Sequence, residues 1–143
     1  MTTLTRATAP AVTGTTPAAL LRAAADHLDT HGWQQGRLYH YGTDRVRQPR
    51  ACTLGALYLA ANGRRALMGC IDAPSADLRA AFRYLAGHLL DSGQLDPDPD
   101  GPRTWEGALA HWNDCPGRAA AEVTTALRAA ARRWDDTHPD TSS

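Results

Sequence analysis

The chain has 143 residues, a length suited to one domain around one core. Fifteen basic side chains, all of them arginine, balance fifteen acidic ones, which argues against a dedicated nucleic-acid or membrane-surface protein with its basic excess. Three widely spaced cysteines (Cys52, Cys70 and Cys115) are too few and of the wrong parity for a disulfide scaffold, and no apolar run approaches the roughly 18 residues of a membrane helix, so a soluble, cytoplasmic protein is expected.

Residues 1–15 are rich in Thr, Ala, Pro and Gly without periodicity and read as a disordered tail. Thr16-Pro17 supplies an N-cap and a first-turn proline. A helix is expected from there to His31, with Leu20, Leu21, Ala24 and Leu28 on one face and Gly32 as its stop. Residues 33–50 mix Trp33, Leu38, Tyr39 and Tyr41 with glycines and arginines, and fit either a short β-hairpin or an ordered loop.

Cys52 to Gly63 is the most apolar stretch and reads as an interior helix that ends on Asn62-Gly63. Asp72-Ala73-Pro74-Ser75 then signals a new helix start. Leu78, Phe82, Leu85 and Leu89 mark the buried face of a helix over about 75–91, stopped by Ser92-Gly93. The alternating Asp and Pro of 96–102 read as a stiff acidic linker. The prolines and the missing closing glutamate argue against a calcium loop.

Thr104 is positioned to cap a short helix with Trp105, Ala108, Leu109 and Trp112 facing inwards. Asn113-Asp114-Cys115-Pro116-Gly117 is a tight turn. A last helix is expected over about 118–134, with Val123, Leu127, Ala130, Ala131 and Trp134 buried, and residues 135–143 are expected to fray. The sum is a mainly α domain over 16–134: a compact bundle of about five helices with an irregular or β-hairpin insert at 33–50.

Chemistry has one candidate focus. A cysteine at a helix N-terminus feels the positive end of the helix dipole, which favours its thiolate. Cys52 stands at such a place. A nucleophilic cysteine also needs a base and a group to orient it, and His111 or His40 with Asn113 or Asp114 fit those roles. The bland alternative is an inert buried thiol, with Asn113 and Asp114 acting as turn or cap residues of the last helix. No Cys-x-x-Cys pair is present, and neither a metal nor a cofactor is expected. Trp33, Tyr39, Tyr41, Arg50 and Trp112 are the candidate binding side chains, for a protein partner or a small ligand.

The residues Gly32-Trp33 with Gly36, Cys52-Thr53-Leu54-Gly55-Ala56-Leu57, and Trp112-Asn113-Asp114 with Pro116-Gly117-Arg118 together resemble an uncharacterised family. It comprises small domain-of-unknown-function proteins from high-GC Gram-positive bacteria and their phages. The resemblance spans about residues 17–134. It implies no established activity, but it supports the domain boundaries and points at Cys52, Asn113 and Asp114. Ala119 stands where that pattern has a small hydroxyl residue, and the loop before Cys52 is short. The reading that follows is a small accessory or partner-binding domain. The alternatives are a cysteine-dependent hydrolase or transferase using Cys52, and a nucleic-acid-associated regulator.

Overall fold

The computed structural model describes residues 16–38, 49–62, 75–96 and 104–139. Five helices follow in order: α1 (Pro17–His31), α2 (Thr53–Asn62), α3 (Ala76–Asp91), α4 (Trp105–Asn113) and α5 (Ala120–Thr137). No β-strand occurs among the described residues; the only β feature is a parallel bridge between Trp33 and Ala51. The mainly α class is therefore as expected. The hairpin alternative for 33–50 turns on residues 39–48, which lie outside the described residues, as do the expected tail 1–15 and the last four residues of the expected tail 135–143.

Local signals explain most helix ends. The Thr16 hydroxyl accepts from the Ala19 N–H, Ser75 from Leu78, and Thr104 from Gly107, each 3.0–3.1 Å away, so each satisfies one of the backbone donors that a helix start leaves unpaired. Gly32 closes α1 at φ +104°, a backbone conformation that L side chains rarely adopt. A Cβ at that site would also press on the Arg50 side chain at 3.2 Å.

The start of α5 is different. Its N-cap residue is Ala119, which has no side-chain acceptor, so only half of a capping arrangement exists: Glu122 Oε1 accepts from the Ala119 N–H at 2.9 Å. Asn113 and Asp114 do not cap α5. They close α4, with the Asp114 N–H bonded to Ala110 O at 3.0 Å.

α5 packs most heavily on α1 and next on α3. α1 also rests on α2 and α3, and α4 lies against α3 and α2. The seam is built from small residues (Ala24 and Ala25 on α1, Ala126, Ala130 and Ala131 on α5) interleaved with Leu20, Leu21, Phe82, Leu85 and Leu127, all buried. Charges rim it. Arg128 reaches Asp26 at 2.8 Å and Asp29 at 2.7 Å, Arg133 reaches Asp91 at 2.5 Å, and Arg22 pairs with Asp135. The last pair lies beyond the expected end of the helix: α5 continues to Thr137 because its final turn still has partners on α1 and α3, including a Tyr84–Thr137 hydroxyl contact at 3.4 Å.

α2 is the interior element, buried from Thr53 to Ala60. α4 corrects one expectation. Leu109 and Trp112 point inwards, but Trp105 is 41 % exposed, because the first residue of this nine-residue helix overhangs the edge of the core.

Restoring a hydroxyl acceptor at the uncapped start of α5 has a defined outcome. Ala119→Ser is expected to stabilise the fold by about 1 kcal/mol, read as a higher midpoint in urea with an unchanged slope.

Candidate functional site

The segment after α1 runs back beside the segment before α2. Ala51 N–H donates to Gly32 O at 3.1 Å, Gln34 N–H to Ala51 O at 3.0 Å, and Cys52 N–H to Leu38 O at 3.0 Å. This short ladder brings Trp33 to the leading end of α2. The turn after α4 arrives at the same place from the far side of the sequence.

Asn113 joins the three. Its side-chain oxygen accepts from Trp33 Nε1 at 2.7 Å, from the Thr53 N–H at 2.9 Å and from Thr53 Oγ1 at 2.6 Å. Its Nδ2 donates to Gln34 O at 3.2 Å and to Asp114 Oδ1 at 3.0 Å. Asn113 is 1 % exposed and Thr53 fully buried, so water is not there to replace a lost partner. Outside this buried knot the contacts continue to the surface. Gln35 Nε2 donates to Asn113 O at 3.0 Å and Cys115 O at 2.9 Å, and the Gly36 N–H donates to Asp114 Oδ1 at 2.9 Å. Arg118 lies over the Trp112 ring, 4.4 Å from its centroid, and its Nε donates to Trp112 O at 3.1 Å.

A family model matches residues 12–133. The chain belongs to DUF6197, a family of unknown function. No curated protein and no solved structure matches it. In this DUF6197 chain the matched span runs from before α1 into the closing turns of α5, so it contains the whole Asn113 junction.

The structure brings Cys52, Asn113, Asp114 and Trp33 to one end of the bundle. Cys52 occupies the N-cap position of α2: its carbonyl accepts the first helical bond, from the Ala56 N–H at 2.9 Å, and its Sγ accepts from the Gly55 N–H at 3.4 Å. The helix end does act on the sulfur, yet burial acts more strongly. Desolvation pushes the thiol pKa up; the Gly55 and Leu54 N–H groups pull it back only in part, and the Asp114 carboxylate adds to the rise. The dipole argument that singled out Cys52 holds in sign and is outweighed in size.

His111 lies exposed in the last turn of α4, and no hydrogen bond joins it to Cys52, Asn113 or Asp114 among the described residues. Asn113 orients no imidazole there; its oxygen serves Trp33 and Thr53. Of the candidate binding side chains, Trp33 is tied into the junction and half-buried, Trp112 is buried beneath Arg118, and Arg50 is exposed over Gly32. Tyr39, Tyr41 and His40 lie outside the described residues. Trp112 Nε1 is buried and has no hydrogen-bond partner among the described residues.

Thr53 and Gln35 were missed by sequence reasoning. Thr53 follows a cysteine at a helix start, where a hydroxyl is ordinarily read as a local cap, and its actual partner is 60 residues away.

No metal-binding group of three or more His, Cys, Asp or Glu side chains occurs among the described residues. No helix among them is long and apolar enough to cross a membrane.

Asn113→Ala is expected to cost about 3 kcal/mol, because the two buried Thr53 donors and the half-buried Trp33 N–H lose their acceptor together, and equilibrium denaturation reads it. Asn113→Asp keeps the acceptor but turns a second oxygen towards Gln34 O and the Asp114 carboxylate. Its carboxyl pKa is therefore raised by folding, and its deficit against wild type is expected to shrink as pH falls through that raised value. A deficit independent of pH between 4 and 7 would count against this bonding scheme.

Proposed function

We propose that this chain is a small partner-binding domain whose contact surface is the edge where residues 33–38 meet the turn 113–118. One observation carries the reading. Gln35 and Gly36 from one exposed segment, and Asp114 and Cys115 from another, are cross-bonded into a single surface standing on the buried Asn113 junction. Exposed loops fixed in advance lose less freedom when they bind, which favours recognition over passive connection. The surface offers backbone carbonyls, an Asp carboxylate and the exposed Arg37. That mixture of groups suits a protein contact, and the zero net charge weighs against nucleic acid.

The cysteine-dependent alternative keeps one point in its favour: the Gly55 N–H is already aimed at the Cys52 sulfur. Against it stand the raised thiol pKa and the engagement of Asn113 elsewhere.

A photo-crosslinking side chain placed at Gln35 or Arg37, in cells that make the protein naturally, is expected to capture a discrete product that Arg132 on the exposed side of α5 does not. Equal capture at all three positions, or none at Gln35 and Arg37, removes the binding-edge reading. Alkylation of the folded Cys70→Ser variant addresses the alternative. Exposed Cys115 is expected to react quickly, and Cys52 to stay protected until denaturant is added. Rapid labelling of Cys52 in folded protein, with an apparent pKa below about 8.5, would restore the enzyme reading.

A further inference from the structure

We draw no further inference here: the strongest candidate, the His27–His31 pair one turn apart on α1, sets two imidazole rings side by side, but His27 Nε2 is already bonded to Pro49 O at 2.7 Å and no third His, Cys, Asp or Glu among the described residues stands close enough to complete a metal site.

Discussion

The amide oxygen of Asn113 accepts three hydrogen bonds in a place without water, and the arrangement of one whole end of the molecule follows from that. A carboxylate could take the same three bonds, but its second oxygen would face Gln34 O and Asp114 Oδ1, both acceptors. A hydroxyl would be too short and has too few sites. Only an amide presents an acceptor on one side and two donors on the other at this reach. The junction therefore fixes register as well as contributing stability. It sets where α2 begins, where α4 ends and how Trp33 lies between them. A buried polar group whose every capacity is used excludes alternative packings, because any shift leaves a donor orphaned.

The seams of α5 are held by different means. Along the seams of α5 the buried residues are mostly alanine and leucine, which fit together in many registers with little difference in energy. The ion pairs at the rim supply the discrimination. Arg128 bridges Asp26 and Asp29 on α1, Asp135 takes Arg22 of the same helix, and Arg133 takes Asp91 on α3. Each pair is largely solvated and worth no more than about 1 kcal/mol, so their value lies in selecting a register rather than in holding the helices together. They also account for part of the composition. Three of the fifteen arginines, Arg22, Arg128 and Arg133, are matched by aspartates on neighbouring helices.

Helices α1 and α3 and the buried face of α5 were legible because their information is local: a hydroxyl before the first turn, an apolar stripe at helical spacing, a glycine or serine after it. The interior position of α2 followed from its unbroken apolar character. The turn 113–117 drew attention for its chemistry, and in the structure Asn113 is the centre of a hydrogen-bonded junction. Asn and Asp after a tryptophan suggested groups that orient a catalytic base, or cap the helix that follows. What decides the matter is the hydrogen bond from Trp33, 80 residues away, and those from Thr53, 60 residues away, and no periodicity or spacing encodes such pairings. Trp105 failed for a related reason. It has the correct phase for the buried face of α4, but phase does not say where the core stops.

Cys52 shows how two correct local arguments can oppose each other. A sulfur at a helix N-terminus gains from the backbone donors, and the same sulfur loses more when its surroundings are apolar. This buried thiol stands within the junction: the Cys52 N–H is held to Leu38 O, and Thr53, one residue on, is locked to Asn113. A serine there would cap α2 with a stronger acceptor, but its hydroxyl would carry a larger desolvation cost. The thiol, a weak acceptor that behaves as a small hydrophobe, suits a cap position sealed from water. Of the groups that look reactive in the sequence, Asn113 and Asp114 thus carry hydrogen bonds that tie the loops at this end of the bundle together.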